Sequence, residues 1–254
     1  MIWISNTFKA IVLILLLLLF GGFAFLISIP AILTGQRWKF LNQVFLIPFG
    51  VCARAVVGIR LEALHPERGD LHRPAVCIAN HQTGLDLALL GSLCPASTVI
   101  VGKKEIESIP FFGWFFKAAG NLTINRSDPI QAKRALSRMA SEVRARGLDV
   151  AIFPEGTRNT GKHPGLLPFK KGSFHLAREL QAPIVPYVCS NLRGIGIWEN
   201  RELQGGRVII SLLEPVPTTD WTDENMSQKI EEIRLNMSLE FERISALAAK
   251  QKTR

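Results

Sequence analysis

Cysteine is scarce in this chain and never paired in sequence. Cys52, Cys77, Cys94 and Cys189 form no C-x-x-C unit and no metal-ligand spacing. That argues against a disulfide scaffold and a structural metal, and for reduced core residues in a cytosolic compartment. A zinc-finger spacing, an RNA-binding signature and a basic stripe are also missing, so nucleic acid is a poor match for the positive charge. There is no internal repeat, no low-complexity tract and no linker long enough to separate two domains. No G-x-S-x-G elbow for a serine nucleophile occurs. Charged residues make up only 20% of the 254, against 48% hydrophobic. This balance excludes intrinsic disorder, and it is too polar for a bundle of membrane helices. What remains is a soluble-type domain carrying one apolar segment and a net charge of +9, which suits an anionic membrane surface.

The apolar segment is N-terminal. No charge occurs between Lys9 and Arg37, and residues 10–29 are almost entirely apolar. As a helix such a run extends about 30 Å, the thickness of a hydrocarbon core. No small-x-small cleavage site follows at the right distance, so a retained anchor is expected. Pro30 should disturb the helix and Thr34-Gly35-Gln36 should turn the chain. A second apolar run, 40–59, is broken by Pro48 and Arg54, and Arg37, Trp38 and Lys39 between the runs suit a membrane–water interface. Two arrangements fit: a first run that spans with the second along the inner surface, or a hairpin within one leaflet. Nearly all other Lys and Arg follow the first run, which places the body on the cytoplasmic side in both. Residues 1–58 are thus expected to be a membrane anchor and 59–254 a single globular domain.

From residue 59 the pattern is that of an α/β domain. Short runs rich in β-branched residues (75–78, 98–101, 122–125, 150–153, 184–188 and 208–213) alternate with helical stretches. The clearest helix has Asp128 as N-cap and Pro129 first, an apolar face of Ala132, Ala135, Leu136, Met139 and Val143, and Gly147 as its stop. A final amphipathic helix is expected over 223–249. The fold class predicted is a central mixed sheet flanked by helices, preceded by a membrane-embedded helical segment.

Among five histidines, His65, His72 and His163 lie in charged or Gly/Pro-rich loops and His175 in a helical stretch. His81 differs: it directly follows an apolar strand and has Asp86 five residues on. On one straight helix five residues rotate by roughly 140°, so the two would face apart. They meet only if His81 lies in the strand-to-helix turn, Asp86 in the first turn of the helix, and Gly84 supplies the bend. The carboxylate then fixes one imidazole nitrogen and leaves the other as a base. A second constellation, Phe153-Pro154-Glu155-Gly156-Thr157-Arg158, also ends a strand. Gly156 lets a ligand approach the backbone, Arg158 suits a phosphate, and Glu155 can either hold that arginine or bind a substrate hydroxyl. Lys103 and Lys104 follow one further strand, and Arg126 another. Ligand sites in open α/β sheets gather at the carboxyl ends of strands. Four such ends would supply a base facing an anion cradle.

At these residues the chain resembles the 1-acylglycerol-3-phosphate acyltransferases of the glycerolipid acyltransferase superfamily, the bacterial type with an N-terminal membrane motif. Residues 80–86 stand as its H-x4-D block, 120–126 resemble the second block, 153–158 with 167–172 the third, and 182–187 the fourth. The resemblance covers roughly residues 59–215. Asn125 departs from the Asp of many relatives, so of that pair only Arg126 carries over.

The resemblance implies transfer of a fatty acyl group from acyl-CoA or acyl carrier protein to the free hydroxyl of lysophosphatidate, giving phosphatidate. His81 would be the general base and Asp86 its orienting partner. Lys103, Lys104, Arg126, Glu155, Gly156, Thr157 and Arg158 would form the substrate-binding set. A thioester is already activated, so no metal and no cofactor is expected, and the partners are membrane phospholipid, lysophosphatidate and the acyl donor. The expected location is a membrane, for a bacterial chain the inner one with the catalytic body on its cytoplasmic face. Two other readings stay open: a superfamily enzyme using glycerol 3-phosphate or a lyso-ornithine lipid, and a membrane module that holds anionic lipid without chemistry. The cluster Phe111, Phe112, Trp114, Phe115 and Phe116 reads either as core packing, the expectation for most of these rings, or as a membrane-facing lip.

Overall fold

Runs that are apolar on both faces are buried fully only inside a sheet covered on both sides. The computed structural model, which describes residues 2–69, 74–125, 129–160, 163, 165–192, 195 and 203–250, has that form. The strands are β1 (Ile59–Leu64), β2 (Val76–Ala79), β3 (Thr98–Lys103), β4 (Leu122–Ile124), β5 (Asp149–Ile152), β6 (Ile184–Cys189) and β7 (Gly206–Leu212). They form one sheet in the order β1-β7-β6-β2-β5-β3-β4. Every neighbouring pair is parallel except β6 with β7, so the sheet is mixed. The helices are α1 (Ile2–Thr34), α2 (Leu41–Val57), α3 (Asp86–Gly91), α4 (Phe112–Ala118), α5 (Pro129–Arg146), α6 (Gly172–Leu180) and α7 (Met226–Lys250).

Alternation along each strand divides the core into two layers. Val76, Ile78, Val150, Ile152 and Ile184 join Met139 and Val143 of α5, Phe174 of α6 and Met237 of α7. The intervening Cys77, Ala79, Val185 and Tyr187 join Leu89 and Leu90 of α3. All six strand runs named from the sequence are strands. β1 escaped notice because Arg60 and Glu62 interrupt its apolar residues; it lies at the sheet edge, where the Glu62 carboxylate accepts a hydrogen bond from Arg207 Nε at 2.9 Å. β1 meets β7 so closely that a Cβ on Gly205 would lie 2.5 Å from the Val57 carbonyl oxygen. Asp128, the expected N-cap of α5, lies outside the described residues, as does His72. The last helix starts at Met226 rather than 223, because the Asn225 side chain accepts from the Thr222 N–H and closes a turn before it.

The N-terminal segment corrects three expectations. Pro30 does not end α1, which continues to Thr34 and stops at Gly35, φ 69°. α2 likewise runs through Pro48 and Arg54 to a left-handed cap at Gly58. Packing offsets the bonds the prolines remove: Ala24 and Ala31 of α1 join Leu41 of α2 and Phe115, Ala118 and Ala119 around α4. At the other end Leu13 joins Ala53 and Val57. The two helices thus form a hairpin held to the body along its length, while Leu15, Leu18, Leu19, Phe23, Leu26 and Leu33 stay exposed. The aromatic cluster splits. Phe115 and Phe116 are buried as expected, but Phe111, Phe112 and Trp114 are 61%, 39% and 53% exposed. Phe111 meets Phe25 of α1 edge-on at 5.4 Å, so the bare apolar surface of the hairpin continues onto the body.

A buried polar lock ties hairpin to sheet. Asn42 of α2 and Asn121, just before β4, exchange two side-chain hydrogen bonds of 2.9 and 2.8 Å, and the Asn121 carbonyl also accepts from the Ile100 N–H at 2.8 Å. Asn42→Ala strands the buried Asn121 amide, a loss of about 1–3 kcal/mol. The expected result is a lower thermal unfolding midpoint of the detergent-solubilised protein; an unchanged midpoint would remove the lock from the account of stability.

Candidate active site

The parallel strands β2, β5 and β3 bring their carboxyl ends to one side of the sheet, the usual ligand side of such folds. β2 leads into Asn80, whose buried side chain donates to the Cys189 carbonyl at 2.9 Å and accepts from the Cys189 N–H at 2.8 Å. That clamp pins the end of β2 to the end of β6. The next residue, His81, is held through its backbone on both sides. Its N–H donates to Glu155 Oε1 at 2.7 Å, and its carbonyl accepts from the Asn159 N–H at 2.8 Å.

The His81 side chain is held as tightly. Asp86 is the first residue of α3 and fully buried. Its Oδ2 meets His81 Nδ1 at 2.8 Å and accepts from the N–H groups of Gln82 and Thr83 at 2.5 and 2.9 Å, and its Oδ1 accepts from the Thr83 hydroxyl at 3.2 Å. A buried carboxylate is tolerated when donors replace its lost water, and charge-assisted bonds are the strong ones. An ionised carboxylate only accepts, so the proton of a neutral imidazole sits on Nδ1 and leaves a lone pair on Nε2. Phe153, at the end of β5, stacks on the ring at 4.0 Å between centroids and an interplanar angle of 14°. The imidazole stays 22% exposed. The site therefore offers an oriented base at an open edge.

Glu155, expected among the substrate-binding residues, is turned inward onto backbone. It is buried, and its second oxygen accepts from the Leu167 N–H at 2.9 Å, so both oxygens brace backbone around His81. Burial pushes its carboxyl above the ordinary range, against the opposing pull of the His81 and Leu167 N–H bonds. Gly156 takes φ 71° and closes a turn onto the Phe153 carbonyl, which leaves Thr157 and Arg158 exposed beside this end of the sheet. Lys103 ends β3 and is exposed. Lys104 is turned elsewhere: it pairs with Glu107 at 2.7 Å and lines a basic groove along the β4 edge with Arg37, Lys117, Arg134 and Arg138. Arg126 lies outside the described residues. Burial, aided by the Asp86 carboxylate, pushes the Cys189 thiol well above its ordinary value, so it is no thiolate nucleophile. Among the described residues no three His, Cys, Asp or Glu side chains converge as metal ligands.

Sequence reasoning assigned no role to Asn80, Gln82, Phe153 or Asn159. Gln82 bridges to the β6 exit, donating to the Ser190 carbonyl at 3.0 Å and accepting from the Leu192 N–H at 3.1 Å. The available signal was an amide on each side of His81. A small apolar slot of about 40 Å³, lined among others by Phe153, Leu90, Gly91 and Leu46 of α2, also adjoins the site.

Residues 60–190 match the family described as acyltransferase. The chain is 35% identical over 172 residues to the 1-acyl-sn-glycerol-3-phosphate acyltransferase of Haemophilus influenzae, covering 66% of this chain and 69% of that one. To the protein of the same description from Escherichia coli it is 34% identical over 171 residues, 67% and 68% of the two chains. In fold it resembles the crystal structure of the 1-acyl-sn-glycerophosphate acyltransferase PlsC from Thermotoga maritima. The TM-score is 0.70 at 22% identity, covering 94% of this chain and 98% of that one.

The bracing role of Glu155 is testable by pH. Its folded-state carboxyl titrates above the unfolded value, so its contribution to stability is fully present below the unfolded range and is lost as pH rises through the raised one. Glu155→Gln removes this titration and can accept only one of the two N–H bonds. Acidification from neutral pH toward the ordinary glutamate range should therefore raise the unfolding midpoint of the parent protein relative to Glu155→Gln. A constant difference across that window would contradict the assignment.

Proposed function

Because the chain belongs to the acyltransferase family, we propose that it transfers a fatty acyl group from a soluble thioester, acyl-CoA or acyl carrier protein, to the free hydroxyl of 1-acylglycerol 3-phosphate, forming phosphatidate for phospholipid synthesis. The observation that carries this reading is the His81 ring, tied by Nδ1 to buried Asp86 and stacked on Phe153, with Nε2 left for an incoming proton.

In this scheme Nε2 removes the hydroxyl proton as the oxygen attacks the thioester carbon. The tetrahedral intermediate collapses, the carbon–sulfur bond breaks, and the departing thiolate takes the proton back from Nε2. Asp86 stabilises the transient imidazolium without becoming protonated. A thioester leaves readily, so direct transfer needs neither an enzyme nucleophile nor a cofactor. Arg158, with Arg126 and Lys103, receives the acceptor phosphate, and Glu155 serves by fixing the backbone from which His81 projects.

The hairpin keeps this chemistry at a membrane. α1 is long and apolar enough to cross a bilayer. Its attachment to α2 and to the body along its length favours a hairpin seated in one leaflet over a helix that crosses alone. The exposed rings Phe111, Phe112 and Trp114 continue the same seat. The Lys- and Arg-rich body then lies on the cytoplasmic face, where soluble acyl donors are made.

His81→Ala should lower acyl transfer by about two to four orders of magnitude, the usual contribution of a positioned base, with membrane attachment unchanged. The assay offers the purified protein labelled acyl donors and a panel of lysophospholipid and glycerol 3-phosphate acceptors, resolved by mass spectrometry; near-normal turnover would overturn the mechanism, and exclusive use of another acceptor would overturn the substrate. Arg158→Ala should raise the KM for a phosphate-bearing acceptor more than tenfold, since a charge-assisted contact is worth about 1.5–3 kcal/mol. If only the donor KM rose, the cradle would belong to the donor. Deleting residues 1–58 removes Leu46 from the slot wall and Asn42 from its lock, so it should abolish turnover even of acceptor offered as soluble monomer.

A further inference from the structure

Arg134 and Arg138 stand one turn apart on α5, a spacing at which like charges repel and weaken a helix. Both are exposed and line the groove of about 660 Å³ along the β4 edge. Arg37, Lys104 and Lys117 add three more cations to it. Its two acids are engaged by other residues: Glu107 by Lys104 and Thr123, Glu142 by Arg37 and Arg146. Arg134 and Arg138 form no ion pair among the described residues, so the fold itself gives no reason for the pair. Phe116, Leu122 and Met139, all buried, give the groove an apolar floor. A basic rim over an apolar floor suits a ligand that joins phosphates to an aromatic ring, a phosphorylated nucleoside.

The place of the groove narrows the ligand. β4, β3 and β5 are parallel, so α5, which joins β4 to β5, runs back from the carboxyl ends of the strands. The end of the groove with Asn125, Lys104 and Arg134 therefore lies on the same side of the sheet as His81. The order β2-β5-β3-β4 sets three inter-strand steps, about 14 Å in all, between the strand that leads to His81 and β4. In lysophosphatidate the phosphate is carried by the carbon next to the one that bears the free hydroxyl. An acceptor whose hydroxyl meets His81 cannot place that phosphate across three strands. In an acyl-CoA the thioester and the nucleotide lie at opposite ends of the pantetheine arm, which spans such a gap when extended.

We propose that the β4-edge groove is the nucleotide subsite of the acyl donor. It takes the phosphorylated adenosine of acyl-CoA, with the phosphates on Arg134 and Arg138 and the base on the apolar floor, while the pantetheine arm crosses the strand ends to His81. The inference rests on the thioester-transferase reading above and makes acyl-CoA its donor. An acyl carrier protein has no nucleotide at this end of its arm and would dock through about 800 Å² of each surface, which uses the rim and leaves the floor bare.

The test compares the full-length parent with Arg134→Gln/Arg138→Gln in phosphatidylcholine nanodiscs. Glutamine keeps the helix propensity and relieves the repulsion, so the unfolding midpoint should not fall. The KM for acyl-CoA should rise about tenfold or more through the loss of charge-assisted phosphate contacts, with the KM for lysophosphatidate unchanged. With an S-acyl pantetheine, which lacks the nucleotide, parent and variant should give the same kcat/KM. Adenosine 3′,5′-bisphosphate should compete with acyl-CoA in the parent and about tenfold more weakly in the variant; Arg134→Lys/Arg138→Lys should restore part of that competition. Arg243→Gln, which removes an exposed cation of α7 outside the groove, should leave all these values as in the parent. An unchanged KM for acyl-CoA, or an equal loss with the S-acyl pantetheine, would overturn the subsite. A loss confined to acyl carrier protein would overturn it in favour of a protein-docking surface, and one seen only with phosphatidylglycerol in the discs in favour of a lipid headgroup site. A parent protein that transfers from no thioester would overturn the transferase reading itself and the subsite with it.

Discussion

The carboxylate of Asp86 is the constraint around which the rest of the site is arranged. A buried ionised group survives only if donors surround it. The chain supplies these from its own backbone at Gln82 and Thr83, from one hydroxyl and from the imidazole of His81. To deliver those N–H groups the backbone must bend sharply between β2 and α3. The bend is the same one that brings His81 and Asp86 face to face. Local folding and chemistry are therefore satisfied by one conformation: whatever disturbs the dyad also uncovers a buried charge. The clamps outside it, Asn80 on Cys189 and Glu155 on the His81 and Leu167 N–H groups, hold the three central strands at the height where the dyad is accommodated.

The hairpin gains its place by a different economy. Most of its side chains face outward and are apolar, which in water would be a liability. On its inner side small residues, Ala24, Ala31 and Ala53, let it approach the body closely. A buried polar lock, Asn42 with Asn121, sets its register against β3 and β4. Polar pairs are poor sources of net stability and good sources of uniqueness, because an alternative packing would leave two buried side-chain amides unsatisfied. α2 thus presents exposed apolar side chains on one face and lines the slot beside Phe153 with another. Hairpin and candidate site are parts of one structure.

The two basic regions of the molecule differ in what they face. Arg158 follows β5 and Lys103 ends β3, both exposed, whereas Lys104 belongs with Arg37, Arg134 and Arg138 to a groove on the sheet edge. Lys103 is the last residue of β3, whereas Lys104 opens the 3-10 turn that follows and is held there by Glu107. Charge composition alone treats them as a single patch.

Much of the molecule was legible in its residues: six of the seven strands among the described residues, α5 and its glycine stop, two apolar runs with a turn between them, and a histidine and an aspartate whose spacing permits contact only across a strand-to-helix bend. These follow from local periodicity and from the steric limits of the backbone, which act over a few residues and are written in sequence order. Other features were decided only in three dimensions. Pro30 and Pro48 stay inside helices whose neighbouring residues, Ala24, Ala31, Leu41 and Ala53, pack against side chains remote in sequence. β1 is a strand because β7 offers a partner nearly 150 residues away. Glu155 braces the backbone of His81, 74 residues distant. The rings of 111–116 divide between core and surface according to where α1 lies. Each of these depends on which groups from remote segments share one small volume, and such proximity is a property of the packed chain, not of any stretch of its sequence.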